Sequence, residues 1–125
     1  MRVDDWWGLY GGPLKDWLAP DAFRHPAKFS KNLIVRIYAH ALEEGWLIPG
    51  ESGVLDPMAG VAVGGVAAAN AGIAWEGIEL EGHFAAAGQA TVERHRRVWE
   101  RLGLPVPVLR QGDARQLGVL EAEKA

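Results

Sequence analysis

Three carboxylates follow three apolar segments of the chain, and their order suggests a shared binding site. Asp56 closes a short apolar run, Glu79 ends the segment Ala74–Glu79, and Asp113 comes shortly after the segment 106–110. The carboxyl ends of parallel strands meet at one edge of a sheet, where α/β proteins bind their ligands in a crevice. We therefore expect the three side chains to converge on one crevice.

A glycine-rich segment follows the first carboxylate and predicts a ligand-binding turn. Gly60, Gly64 and Gly65 are expected to form a tight loop, and the run from Val66 is expected to be a helix that ends near Gly72. Glycine lets backbone amides approach a ligand that a side chain would keep away. A strand, a glycine turn and a helix in this order predict a site for a nucleotide-like cofactor.

Two classes of cofactor compete for this site. The pattern Gly60-x-Ala62-x-x-Gly65 resembles a degenerate dinucleotide fingerprint, whose pyrophosphate lies on backbone amides. Asp56 disfavours a pyrophosphate but suits a cation, and S-adenosylmethionine carries an amino group and a sulfonium without phosphate. Glu79, roughly 20 residues further on, is placed to accept hydrogen bonds from two ribose hydroxyls. The charge argument favours S-adenosylmethionine, and a nicotinamide dinucleotide remains the alternative.

The composition excludes several classes of function. The chain has 125 residues, of which 49% are hydrophobic and 23% charged, and its net charge is −3. These values indicate about one domain, or part of one, without a basic surface for nucleic acid. The chain has no cysteine, which excludes disulfides, thiolate metal sites and a covalent cysteine adduct, and we expect no metal. The pattern shows no secretory signal or membrane span and predicts a cytoplasmic protein.

The periodicity predicts an α/β fold with about three parallel strands and flanking helices in three layers. The strands are expected near residues 53–56, 74–79 and 106–110. Helices are expected over 31–44 and 83–102 in addition to the one that follows the glycines. The first strand should be central in the sheet and the third, which contains Pro107, should be at an edge.

Two further features of the chain carry expectations about packing. Residues 1–24 are predicted to form a tryptophan-rich arm, and residues 25–125 the cofactor-binding part. Ser30 is a suitable N-cap for the first helix. Glu93 and Arg97 are spaced for a surface ion pair on the last helix. The predicted buried face of that helix comprises Phe84, Ala87, Thr91, Val98 and Leu102, with His95 among them.

Together these motifs resemble the amino-group DNA methyltransferases, which methylate adenine N6 or cytosine N4, and especially their phage and prophage types. Four short motifs in the family's order stand here as His25–Ser30, Asp56–Gly60, Gly77–Glu81 and Gln111–Arg115. The similarity covers about residues 13–117. It implies a partial Rossmann-like fold of the S-adenosylmethionine-dependent methyltransferases, with DNA as the partner of the complete enzyme, as in restriction-modification.

The resemblance implies a role for each matching residue. The implied cofactor contacts are Phe29, Ser30, Asp56, Pro57, Met58, Ala59, Gly60, Glu79, Leu80, Asp113 and Ala114. The first two would border the methionine end, and the loop that begins at Asp56 would hold the amino group. Glu79 would bind the ribose hydroxyls, Leu80 would lie against the adenine, and Asp113 would accept a hydrogen bond from the adenine amino group.

Two departures from the family pattern limit what this chain is expected to do. The family usually has a glycine where Ala62 stands, and the added methyl is expected to reduce affinity. The chain has no Pro-Pro pair, whereas the family needs a Pro-Pro-Tyr motif to orient the target amine and stack on the flipped base.

From the missing motif we expect the cofactor part of a methyltransferase, truncated before its catalytic motif and inactive alone. A second chain or a C-terminal segment would supply strand four and the catalytic loop. Without that strand, the edge of strand one should be open and the chain should self-associate. A non-catalytic remnant and one half of a split enzyme remain alternatives, as do adenine and cytosine as the target base.

Overall fold

The computed structural model describes residues 6, 9, 11–24 and 30–116 of the chain. Within them, helices and strands follow in the order α1 Lys31–Glu43, β1 Gly53–Asp56, α2 Val63–Asn70, β2 Ala74–Glu79, α3 Gly82–Leu102 and β3 Val108–Gln111. Short 3₁₀ helices cover Pro20–Arg24 and Ala114–Gln116. The α/β class and the three parallel strands are confirmed, and they are compatible with a partial Rossmann-like fold.

The sheet has the order β1-β2-β3, and both of its pairs are parallel. Asp56 at the end of β1 lies opposite Gly77 of β2, and Glu79 at the end of β2 lies opposite Gln111 of β3. The prediction that β1 is central is wrong for the described residues, because β2 is the middle strand and β1 is an edge. The edge position of β3 matches the prediction.

Helices α2 and α3 pack on the same face of the sheet. Gly65 of α2 lies against the ring of Trp75, and Gly88 of α3 lies against Leu109. Gly77, two residues after Trp75, pairs with Leu109, so both side chains point to one face. Residues on the opposite face include the exposed Leu55 of β1. Within the described residues, α2 and α3 therefore form one helical layer on the sheet.

Helix α2 begins earlier than its sequence predicts. It starts at Val63, so Gly64 and Gly65 lie in its first turn and not in a loop. A Cβ on Gly65 would come within 2.9 Å of the Trp75 ring, so the missing side chain is what lets the helix approach the sheet. β3 begins at Val108, directly after Pro107, a residue without the N–H that strand pairing uses.

The buried face of α3 differs from the predicted one. Its buried residues are Ala85, Ala87, Gly88, Thr91, Val92 and Trp99. Val98 and Leu102, predicted as core, are exposed. The ion pair near the middle of the helix joins Glu93 to Arg96 at 2.8 Å and not to Arg97.

The segment before α1 packs on this same helix. The amide of Ala19 donates to Oγ1 of Thr91 at 3.1 Å, and Nε2 of His95 donates to the Trp17 carbonyl at 2.7 Å. Leu18 is almost fully buried in the core. Part of the predicted tryptophan-rich arm is therefore attached to the domain through α3.

Candidate functional site

The loop after β1 is closed by hydrogen bonds from backbone amides, the first of which the Asp56 side chain accepts. Its Oδ1 accepts a hydrogen bond of 3.1 Å from the amide of Met58, an Asx turn that reverses the chain just after the strand. The amide of Ala59 then donates to the carbonyl of Ile78 at 2.8 Å, which ties the loop to β2. The two strand ends and the loop between β1 and α2 are thus held as one unit.

Glu79 is the main polar link in this unit. Its Oε1 accepts a hydrogen bond of 3.0 Å from the amide of Gly60, and its Oε2 accepts one of 2.8 Å from the amide of Glu81. The residue is only 9% exposed. Each carboxylate oxygen can accept a second hydrogen bond, so the side chain can hold the loops and still bind a diol.

Asp56 and Glu79 are electrostatically coupled. Burial raises the pKa of the Asp56 carboxyl, and the negative charge of Glu79 raises it further. The hydrogen bond from the Met58 amide acts in the opposite direction. Two carboxylates that repel each other in a half-buried crevice create a site whose energy improves when a cation enters.

The turn into α2 requires left-handed backbone at two positions. Gly60 has φ 57° and Ala62 has φ 71°. Among the described residues, Ala62 is the one non-glycine residue with a positive φ, and its side chain is fully buried. Because L-residues are strained in this conformation, the backbone shape explains why a glycine would suit this position.

Asp113 follows the end of β3, as the sequence predicts, but its carboxylate already has a partner. Nη2 of Arg115 donates to Oδ2 at 2.5 Å, and Nε donates to both oxygens at 3.0 and 3.1 Å. These hydrogen bonds lower the pKa of Asp113 to about 2. An adenine amino group would thus have to share this carboxylate with Arg115.

The other residues predicted to contact the cofactor differ in their exposure to solvent. Pro57 is half-buried, Ala59 is buried and Met58 is 80% exposed, so the loop presents a flexible thioether to solvent. Leu80 is also exposed just after Glu79. Ala114 begins the second 3₁₀ helix and is half-buried.

Ser30, one of the two residues predicted to border the methionine end, lies at the start of α1. Ser30 is the N-cap residue by position, but its hydroxyl makes no capping hydrogen bond. The hydroxyl instead lies within hydrogen-bond distance of the carbonyl oxygens of Leu9 and Gly11, 3.0 Å from the latter. Ser30 therefore fastens the N-terminal segment to α1. Phe29 lies outside the described residues.

Sequence reasoning missed a buried polar group beneath the loop. The hydroxyl of Tyr38, the indole nitrogen of Trp75 and Oδ2 of Asp56 lie 3.4, 3.6 and 3.6 Å from the point where a Cβ on Gly64 would be. These residues come from α1, β2, β1 and α2. No local signal could have linked them, because they meet only through the fold.

Other parts of the described chain are less suited to the predicted chemistry. A cavity of about 740 Å³ opens at the amino ends of the strands, between residues 49–53, 72–74 and 103–105, away from the carboxylates. Residues 30–116 and the described part of the N-terminal segment hold no cluster of acidic, histidine or cysteine side chains that could bind a metal. Among the helices described, none has the length and apolarity to span a membrane.

No family model matches this chain, and no curated protein matches it either. The described residues form an α/β unit whose sheet carries Asp56, Glu79 and a glycine turn at its carboxyl edge. The assignment of a ligand to that edge therefore depends on the chemistry of these residues.

Proposed function

We propose that this chain is the S-adenosylmethionine-binding portion of an amino-group DNA methyltransferase. The observation that carries the proposal is the Glu79 carboxylate, which holds the Gly60 amide and the Glu81 amide at the end of the middle strand. In α/β folds an acid at this strand end is the residue that binds a ribose. The neighbouring Asp56 supplies negative charge for a cationic amino group.

In this mechanism the chain's own residues bind and orient the methyl donor. Glu79 would accept hydrogen bonds from the ribose hydroxyls with the acceptor positions that its two amide contacts leave open. Asp56 would accept hydrogen bonds from the amino group, and Leu80, exposed beside Glu79, would contact the adenine ring. Holding the sulfonium in a fixed position is the part of catalysis that such a site supplies, since alignment of the methyl with an incoming amine accounts for much of the rate.

The residues that present the target amine would come from outside this chain's sequence. Its 125 residues contain no Pro-Pro pair. A second chain or a further segment with a Pro-Pro-Tyr loop would therefore be required for transfer to adenine N6 or cytosine N4. DNA binding would also depend on that segment, because a net charge of −3 does not favour contact with phosphates.

A nicotinamide-dinucleotide site is the second candidate, and one observation favours it. Gly65 is packed against the Trp75 ring, which is the task of the third glycine in a dinucleotide fingerprint. The raised pKa of Asp56 speaks against it, because burial and the charge of Glu79 already disfavour one more negative group there. A pyrophosphate would bring two negative charges to this position.

Calorimetric titration with S-adenosylmethionine, S-adenosylhomocysteine and NAD tests the proposal. We expect both adenosyl ligands to bind and NAD not to bind. Binding of NAD alone would replace the proposed function with the second candidate. A labelled-methyl transfer assay on mixed-sequence DNA should show no transfer by this chain alone, and robust transfer would show that the catalytic residues are among these 125.

A further inference from the structure

A charged pair follows β3 at the carboxyl edge of the sheet, and it adjoins the end of β2. Gln111 pairs with Glu79 across the two strands, and the amide of Gly112 donates to the Glu79 carbonyl at 3.0 Å. Asp113 and Arg115 come directly after these residues. Neighbouring strands lie about 4.8 Å apart. A nucleoside whose ribose is held by the Glu79 carboxylate would therefore bring its base within reach of this pair.

Arg115 takes up the acceptor capacity of the Asp113 carboxylate. Oδ1 accepts hydrogen bonds from the Arg115 amide at 2.9 Å and from its Nε at 3.0 Å. Oδ2 accepts one from Nη2 at 2.5 Å and shares the Nε donor at 3.1 Å. Each carboxylate oxygen offers two lone pairs, so the four contacts fill the positions that a ligand donor would use.

The guanidinium of Arg115 offers a ligand the opposite kind of group. The Arg115 side chain is 88% exposed, whereas that of Asp113 is 23% exposed. Within the described residues, Nε and Nη2 donate to Asp113, which leaves the N–H groups of Nη1 for a ligand. This part of the edge therefore presents hydrogen-bond donors where the carboxylate alone would present acceptors.

The backbone holds Asp113 in place independently of the guanidinium. The amide of Arg115 donates to Oδ1, and the amide of Gln116 donates to the Asp113 carbonyl at 2.8 Å. The hydrogen bonds from the Arg115 side chain are the first cause of the low pKa of Asp113, about 2, and the one from its amide is the second. A carboxyl with its ordinary pKa of 3.8 is still ionised at pH 7. Removal of the guanidinium should therefore free acceptor positions on a charged, oriented carboxylate.

We propose that Arg115 is a specificity-determining residue that hides the Asp113 carboxylate from the 6-amino group of a purine, so that this edge binds purine nucleosides without reading that group. Adenine presents its amino group as a donor and its ring nitrogens as acceptors. The guanidinium withholds the acceptor that the amino group needs and offers a donor to a ring nitrogen. This inference rests on the proposed function, because it requires a nucleoside ligand at Glu79.

The first test compares S-adenosylhomocysteine with its analogue that has hydrogen in place of the 6-amino group, by calorimetry at pH 7. The parent chain should bind the two ligands with similar affinity, because the amino group finds no acceptor. In Arg115→Met, S-adenosylhomocysteine should bind roughly ten-fold more tightly than the analogue, the scale of a hydrogen bond to a charged group. A parent chain that prefers S-adenosylhomocysteine as strongly as the variant does would overturn the proposal.

Two controls separate this effect from a general loss of positive charge. Arg96→Met also removes an arginine from an exposed ion pair, with Glu93 at 2.8 Å, but lies on α3. It should leave the affinity ratio at the parent value. Arg115→Met in a chain that also carries Asp113→Ala should leave the ratio unchanged too, because no carboxylate is present. A raised ratio in either control would overturn the proposal.

The second test measures the titration of the Asp113 side-chain carboxyl by carbon NMR without ligand. Arg115→Met should raise its midpoint from about 2 toward 3.8, and Arg96→Met should not. An unchanged midpoint in Arg115→Met would show that the guanidinium does not occupy the carboxylate, and would overturn the proposal.

The two tests also distinguish this inference from the proposed function. If neither the parent chain nor Arg115→Met binds S-adenosylhomocysteine, the proposed function fails and the inference fails with it. If both bind it with the same affinity ratio to the analogue, the proposed function stands and the inference alone is overturned. Binding by Arg115→Met that exceeds binding by the parent, with a raised ratio, would support both.

Discussion

Glu79 combines two tasks in one side chain. Its carboxylate is buried, and both of its oxygens accept hydrogen bonds from backbone amides. Charge-assisted hydrogen bonds of this kind are stronger than neutral ones and leave buried donors unpaired when they are lost. A substitution at Glu79 should therefore affect folding as well as ligand binding, which separates it from a residue that only contacts a ligand.

Replacement of Glu79 by alanine should lower the free energy of unfolding and weaken the binding of S-adenosylmethionine. The expected loss of binding is about 1.5–3 kcal/mol, the scale of a hydrogen bond to a charged group, and the loss of stability should be of similar size. Urea denaturation and calorimetry measure the two effects. Glu81→Gln is the control, since only the backbone amide of Glu81 takes part. Equal binding by Glu79→Ala would remove this residue from the site.

The contribution of Asp56 to the free energy of unfolding should decrease as pH rises. Its pKa is raised in the folded chain, mainly by burial. A raised carboxyl pKa means that the folded state is favoured while the group is protonated, and that this contribution is lost as pH rises through the folded pKa. Asp56→Asn should therefore be more stable than the parent near pH 7 and equal to it below the unfolded pKa of 3.8.

Denaturation curves at pH 3 and pH 7 test this prediction for Asp56→Asn. The amide oxygen of asparagine can still accept the hydrogen bond from Met58, so the loop should keep its shape. The variant should bind S-adenosylmethionine more weakly although it is more stable. A stability gain that is the same at both pH values would contradict the assignment to the Asp56 charge.

At the scale of elements, the contact between α2 and β2 depends on two adjacent glycines with different surroundings. A Cβ on Gly65 would lie 2.9 to 3.2 Å from the Trp75 ring, whereas one on Gly64 would meet its neighbours at 3.4 Å or more. Gly65→Ala should lower stability by about 1–3 kcal/mol because the buried ring cannot move away. Gly64→Ala should keep or raise stability, since alanine is favoured in helices by about 1 kcal/mol. Thermal denaturation of the pair tests this, and equal effects would contradict it.

The helices and strands also show how much of the fold can be predicted from the sequence. The bounds of β1 and β2 follow from short apolar runs that end in an acid, and both were predicted. The start of α2 was not, because the helical state of Gly64 and Gly65 depends on the Trp75 ring, which is distant in sequence.

The candidate site, too, can be predicted from the sequence only in part. The positions of Asp56 and Glu79 at strand ends could be predicted from their order in the chain. The engagement of Glu79 with Gly60 and Glu81 could not, since it is set by loop geometry. The approach of Tyr38, Trp75 and Asp56 to Gly64 joins separate elements and leaves no local pattern.

At the scale of the whole molecule, the sheet is incompletely covered within the described residues. β1 is an edge strand, and its Leu55 is 45% exposed on the face opposite α2 and α3. Val108 of β3 is exposed on that same face. An open edge beside an apolar face favours association with another chain.

We therefore expect the chain to self-associate, and Leu55→Lys should shift it toward the monomer. A lysine on an edge strand opposes pairing with a second strand because its charge must remain solvated. Light scattering coupled to size-exclusion chromatography measures the mass. Leu102→Lys, at an exposed position near the end of α3, introduces the same charge away from the sheet and should have no effect. A monomeric parent chain would contradict the prediction.

The two amide contacts of Glu79 have a consequence for the entropy of binding. They hold the turn at Gly60 and the start of α3 at Glu81 in place before any ligand arrives. Fixing the backbone of one residue costs roughly 1–2 kcal/mol in conformational entropy. Here that cost is part of folding and is not added to ligand binding. The heat-capacity change of ligand binding should then reflect only the surface the ligand covers, without a contribution from coupled folding. In hydrogen exchange, the amides of Gly60 and Glu81 should already exchange slowly in the empty protein, and addition of a ligand should change their rates little.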